Sequence, residues 1–230
     1  MIVRTLSRLM QAVLVAAMAM FALPAGAQAP GGDEQRVVDR ARAVVDRMRN
    51  DPEMTTLNNL ISQARAVMVF PSMFKVGFFV GGEGGSGVLV SQSLGGRWSA
   101  PAFYTLGSAS FGLQFGIQEA EVILVIMTEN GFNQVLSNQF KLGLNGSVAI
   151  GTIGRGIEAA TTPALGADIY AYSNTRGIFG GISLAGSVVQ PRDDWNQNYY
   201  GRPATAREIV VDQVLTSPGA AGLQTALGQR

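Results

Sequence analysis

The hydrophobic pattern changes period once, from helix to strand. Across residues 33–50, Val37, Val38, Ala41, Val44, Val45 and Met48 recur at the three-to-four spacing of an amphipathic helix. Asn50-Asp51-Pro52 stops it. Leu57, Leu60, Ile61 and Ala64 repeat the spacing after Thr55 or Thr56, either of which can cap a second short helix. From Ala66 the period falls to two. Residues 66–70 are an apolar run ended by Pro71, and 76–80 and 88–91 flank a glycine-rich stretch at 81–87. In 109–118, Phe111, Leu113, Phe115 and Ile117 alternate with Ser110, Gly112, Gln114, Gly116 and Gln118, as in a half-buried strand. Residues 122–127 are apolar throughout and predict a strand buried on both faces. Residues 129–136 suit a short helix, while 142–150, 168–173 and 178–189 alternate again. Pro203 opens a last helix to about Leu215, and the Gly/Ala/Gln-rich 216–230 reads as a flexible tail.

So many strands without intervening long helices predict a mainly β protein of the α+β class. Its core is an antiparallel, glycine-rich sheet, barrel-like in curvature, with N-terminal helices and a C-terminal helix. Glycines recurring on one strand face imply close stacking or tight curvature.

The first 27 residues have the pattern of a secretory signal. Arg4 and Arg8 precede an apolar stretch from Leu9 to Leu23, Pro24 ends it, and Ala25-Gly26-Ala27 is a small-residue cleavage site. Cleavage after Ala27 is expected, leaving a soluble protein in the periplasm or outside the cell. The apolar stretch is short for the ~20 residues of a membrane span.

Composition narrows the chemistry. The 230 residues include no His and no Cys, which excludes a His base, a Ser-His-Asp triad, thiolate chemistry and His- or Cys-ligated metal. Lys+Arg 17 against Asp+Glu 16 excludes the basic excess of a general nucleic-acid binder. Removal of the signal takes away two of those basic residues, and the net charge of +1 becomes −1. Gly82-Glu83-Gly84-Gly85-Ser86-Gly87 matches G-x-G-x-x-G, yet strand-like Val88-Leu89-Val90 follows it where a dinucleotide site needs a helix. A hairpin connection with glycines at positive φ is the expectation there. Glu119 and Glu121 share a strand face and could form a glycosidase-like pair, but no converging aromatic or polar motif accompanies them. The chain is expected not to be an enzyme and to carry no cofactor or metal.

The first helix supports two readings. Arg36, Arg40 and Arg47 line one edge of its apolar stripe, Arg42 and Arg49 the other. Basic edges beside such a stripe suit a helix lying in a membrane interface. The same helix can instead pack on the sheet, with Asp39 and Asp46 pairing to neighbouring arginines. The stripe has no Trp, Phe or Leu, which favours packing.

A series of short segments, each weak alone, occurs in a specific order. Ala66-Val67-Met68-Val69-Phe70-Pro71-Ser72, Lys75-Val76-Gly77-Phe78, Gly84-Gly85-Ser86-Gly87-Val88 and Trp98-Ser99-Ala100-Pro101 open it. Phe111-Gly112-Leu113-Gln114-Phe115-Gly116, Gly151-Thr152-Ile153-Gly154-Arg155 and Tyr172-Ser173-Asn174-Thr175-Arg176-Gly177-Ile178-Phe179 continue it. Ser183-Leu184-Ala185-Gly186-Ser187 and Asn198-Tyr199-Tyr200-Gly201 close it. The series resembles the SYLF domain from about Leu57 to Leu215.

The resemblance implies binding without catalysis. Eukaryotic members bind phosphoinositide membranes, partly through an N-terminal amphipathic helix, and some fungal members bind actin. It divides the chain into a signal at 1–27, a linker and amphipathic helix at 28–56, a lipid-binding domain at 57–215 and the tail. Export and the lack of an SH3 or FYVE partner domain argue against actin. The implied role is an exported phospholipid-binding protein, peripheral to the cell envelope, taking anionic lipid, the phosphoinositide type included. The alternative is a non-catalytic interaction module of the envelope. Lys75, Arg97, Arg155 and Arg176, in or beside the matching segments, are the candidate headgroup contacts. Arg36, Arg40 and Arg47 form a second candidate patch.

Overall fold

The computed structural model describes residues 32–77, 80–111, 116–143, 150–153, 166–176 and 186–229. One sheet dominates. Its strands are β1 (Ala66–Gly77), β2 (Val80–Ser91), β3 (Ala102–Phe111), β4 (Gly116–Ile126), β5 (Phe140–Lys141), β6 (Ile150–Ile153), β7 (Ile169–Arg176) and β8 (Val188–Pro191). Their spatial order is β5-β8-β3-β2-β1-β4-β7-β6. Neighbours run antiparallel, as expected, except that β6 lies parallel to β7. Around the sheet lie α1 (Asp33–Arg49), α2 (Thr55–Gln63), α3 (Glu129–Val135), α4 (Asp193–Tyr200), α5 (Ala206–Val210) and α6 (Ala221–Gly228). The mainly β, α+β class is observed.

The central strands explain why their sequence lacks alternation. On β4, Ala120, Val122, Leu124 and Ile126 face one core, with Phe132 and Val135 of α3 and Ile209 and Val210 of α5. Ile123 and Val125 face the other, with α1, α2 and α6. Each such buried Val, Leu, Ile or Phe contributes about 1.5–3 kcal/mol relative to exposure. The two-sided cover therefore requires an unbroken apolar run.

Three local expectations are corrected. Pro71 does not end the first strand. The β1–β2 register shifts between Val69 and Phe74, and the β1–β4 register between Phe70 and Met73. A bulge tolerates a residue with no N–H to give the ladder. Gly82–Gly87 is not a hairpin connection but lies within β2: all of it pairs with β3, Gly82–Gly84 pair with β1 as well, and Gly85–Gly87 face the β1 bulge. A Cβ on Gly87 would come within 2.5 Å of the Val69 carbonyl oxygen, and one on Gly85 would collide with that of Ser72. Glycine is needed here because the bulged backbone comes so close.

The third correction concerns the C-terminus. The predicted helix over 203–215 shortens to α5, capped by Thr205, whose Oγ1 accepts from the Glu208 N–H at 3.3 Å while the Glu208 carboxylate accepts from the Thr205 N–H at 2.8 Å. The predicted flexible tail holds a 3₁₀ turn at Pro218–Ala220 and then α6, with Leu223, Ala226 and Leu227 buried against α1. Arg49 Nη2 donates to the Leu227 carbonyl at 2.7 Å, and Gln35 Nε2 to that of Gly219 at 3.0 Å. Small residues looked featureless in sequence, yet they are what lets the two helices approach: a Cβ on Gly222 would meet Arg42 Nη1 at 2.8 Å. Helix α4 was not visible in the sequence pattern.

Candidate functional site

Helix α1 settles first. Val38, Ala41, Val44, Val45 and Met48 are all buried beneath α6 and against the sheet. The packed reading holds, and the stripe cannot enter a bilayer without leaving the core. Of its arginines, Arg36 pairs with Asp33. Arg47 pairs with Glu121, a carboxylate that also accepts from Asn174 Nδ2 at 3.5 Å. Arg47 is thus tied to the nearly buried Glu121, although half of its side chain stays exposed. Arg40 is exposed and makes no ion pair among the described residues.

The four headgroup candidates are not brought together. Arg155 lies outside the described residues. Lys75 on β1 sits in register with Glu83 and Gln118, and Arg176 at the end of β7 with Glu119. Both positions therefore have an acidic residue directly across the ladder. They occupy one end of the sheet, beside the half-exposed Phe74. Arg97 occupies the other end, in the β2–β3 connection, where Ser91 pairs with Ala66 at the start of β1. The run of β1 from Ala66 to Lys75 separates the two ends by ~30 Å at a strand rise of ~3.3 Å per residue.

At the Arg97 end the structure forms a polar cleft of about 770 Å³, between the 92–97 loop, the end of α2 and the turn after α5. Gln92 bridges to Trp98 to close the loop, the Ser93 N–H donates to the Arg97 carbonyl at 2.9 Å, and the Ser93 Oγ accepts from the Arg97 N–H at 3.2 Å. This pinned turn pushes Leu94 fully into solvent. Arg97 is exposed and has no ion-pair partner among the described residues. One wall is Arg65, held by Glu129, by the Gln92 carbonyl at 2.9 Å and by the Phe132 ring, 4.4 Å from its guanidinium carbon. Val211, Asp212 and Gln213 also line the cleft. Gln213 has φ of 51°, in the left-handed region that non-glycine residues rarely adopt, and its Nε2 donates to Ser91 Oγ at 3.4 Å. Beyond it Val214 is exposed as well.

The sequence singled out Arg97 alone of these. An apolar Leu94 inside a Ser-Leu-Gly-Gly turn was an available signal. Asp212 and Gln213 were hidden because their segment read as helix. Among the described residues no acidic cluster could hold a metal ion, and no helix is long and apolar enough to cross a membrane.

Residues 107–230 match the family described as "Ysc84: Las17-binding protein actin regulator". SH3 domain-containing YSC84-like protein 1 of Xenopus laevis is 32% identical over 168 residues, covering 72% of this chain and 50% of that protein. LAS seventeen-binding protein 3 of Saccharomyces cerevisiae is 31% identical over 163 residues, 70% of this chain and 35% of that protein. The human YSC84-like protein 1 is 29% identical over 163 residues, 70% and 47% of the two chains. The chain thus spans half or less of the length of these curated relatives. Together with the ordered motif series, these matches identify the chain as a member of the Ysc84/SYLF family.

Proposed function

We propose that this protein is a non-catalytic phospholipid-binding module that meets a membrane surface with the sheet end carrying Leu94 and Arg97. One observation carries the reading: a fully exposed leucine and an arginine with no ion-pair partner among the described residues, on a single turn pinned by its own hydrogen bonds. A leucine can enter the acyl boundary while the arginine three residues on reaches a lipid phosphate. The family resemblance supports lipid as the partner, and the signal-like residues 1–27 support export and action at the cell envelope. Each basic residue near an anionic surface adds about 1 kcal/mol, so an anionic membrane favours contact through Arg97.

The test is co-sedimentation of the full chain with vesicles of phosphatidylcholine, with and without phosphatidylglycerol. Binding that rises with phosphatidylglycerol, falls with salt and is lost in Leu94→Glu supports the proposal. Equal, negligible binding to all vesicles refutes it. A second reading, a protein-interaction module, is favoured by the family's description as an actin regulator and by the relatives named for Las17 binding. Actin co-sedimentation distinguishes it.

A further inference from the structure

The cleft beside Arg97 has a charge pattern that a purely anionic ligand would not call for. Four charged side chains line it: Arg65, Glu129, Arg97 and Asp212. Arg65 and Glu129 neutralise each other within the wall. Arg97 and Asp212 are both exposed, lie on separate segments of the lining, and pair neither with each other nor with any other charge among the described residues. The Asp212 N–H donates to the Arg207 carbonyl at 3.1 Å, which fixes the backbone that carries the carboxylate. The cleft therefore offers one cationic and one anionic group, separately held, with Gln63, Gln92 and Gln213 among its lining side chains. Its volume of about 770 Å³ lies inside the ~300–1,000 Å³ range of small-molecule sites. Leu94 and Val214 are exposed at this end, on the two segments that form the walls.

We propose that this cleft binds a phosphate ester bearing a primary ammonium, the phosphoethanolamine class, with the phosphate toward Arg97 and the ammonium toward Asp212. The dipolar ligand supplies a counter-charge to each group, an anion for Arg97 and a cation for Asp212. A primary ammonium can donate hydrogen bonds to the Asp212 carboxylate, whereas a trimethylammonium cannot. The cleft should therefore separate phosphatidylethanolamine from phosphatidylcholine, although both are dipolar. Phosphatidylglycerol would meet Arg97 but leave Asp212 as an unpaired like charge. This inference rests on the proposed membrane contact when the ligand is a lipid. The same chemistry could also arrive as a free phosphoethanolamine ester.

Two arms test it on the full chain. In the first, vesicles of phosphatidylcholine alone, or with phosphatidylethanolamine or phosphatidylglycerol added, are compared by co-sedimentation for wild type, Asp212→Asn and Arg97→Gln. The expected gain from phosphatidylethanolamine over phosphatidylcholine is about tenfold, the scale of one charge-assisted hydrogen bond. Asp212→Asn should remove that gain and keep the phosphatidylcholine baseline; Arg97→Gln should weaken binding to all three. In the second arm, glycerophosphoethanolamine is titrated in solution, with glycerol 3-phosphate as control, and backbone amide shifts are followed. Saturable shifts at 92–97 and 211–213 with the first ester, at least several-fold weaker with the second, support the site whether or not vesicles bind. Vesicle binding that responds only to phosphatidylglycerol, with no amide shifts from the ethanolamine ester, overturns the cleft assignment and leaves the membrane contact standing. Both substitutions are at exposed positions, so melting temperatures close to wild type confirm that a lost response is not unfolding.

Discussion

Substitution of Leu223 by alanine tests the C-terminal architecture most sharply, because composition alone describes the segment as a tail. Leu223 is 1% exposed and packs in the cluster that includes Val38, Ala41 and Val45 of α1. Truncating a buried leucine to alanine costs about 2–5 kcal/mol, the spread depending on how far the site collapses. Helix α6 is short and terminal, so it can shift toward α1, which places the expectation at the low end, about 2–3 kcal/mol. In a domain of this size each kcal/mol lowers the melting temperature by roughly 2–4 °C, giving a fall of about 4–12 °C. Thermal unfolding followed by circular dichroism measures it. Thr225→Ala, at an exposed position of the same helix, should stay within about 0.5 kcal/mol of wild type. A Leu223→Ala protein melting within 1 °C of wild type would mean that α6 does not seat on α1, and the correction to the tail would fail.

Three further outcomes follow. Gly87→Ala should destabilise by about 1–3 kcal/mol by urea titration, because its Cβ would press on the Val69 carbonyl and the Phe70 ring, while Gly95→Ala in the exposed turn should be nearly neutral. Arg47→Ala should cost about 1–2 kcal/mol by leaving the nearly buried Glu121 short of its cation, whereas Arg36→Ala, whose pair with Asp33 is exposed at both ends, should cost less than about 0.5 kcal/mol in the same titration. The Glu208 carboxyl is held below its ordinary value of 4.5 by the Thr205 N–H and hydroxyl, and Asp194 below its 3.8 by Arg192. Folded pKa values that are depressed give stability that is present above the ordinary carboxylate range and is lost as pH falls through the folded values. Melting temperature should therefore drop on acidification below about pH 4, and Glu208→Gln should drop less.

Helix α1 was legible nearly to the residue because local chemistry marks its end: a periodic stripe, then Asn50-Asp51-Pro52. Helix α3 and the apolar half of β4, residues 122–126, were legible for the same local reason, but the alternation over 109–118 is not one strand, since Phe111 ends β3 and Gly116 opens β4. What escaped depends on contacts distant in sequence. The glycines of β2 carry their meaning only once Pro71 and the bulge of β1 lie against them. Helix α6 is short and built mostly of small residues, and only α1 beneath it makes Leu223 and Leu227 a core. Arg97 could be picked from its motif neighbourhood, but Lys75 and Arg176 could not be separated from it until the register placed them at the other end of the sheet. Asp212 joins the cleft because α5 stops early at Val210, which the apolar spacing of Ile209, Val210 and Leu215 concealed.

The central claim is that the 92–97 turn, and not α1, touches the membrane. The chain has no native cysteine, so single labels are clean. An environment-sensitive fluorophore is attached at Leu94→Cys in one protein and at Arg40→Cys in another, and emission is read with and without phospholipid vesicles. The account predicts a blue shift and brightening at position 94 and an unchanged spectrum at position 40, with α1 still seated under α6. A shift at position 40 with none at position 94 would contradict it and return the membrane contact to the helix.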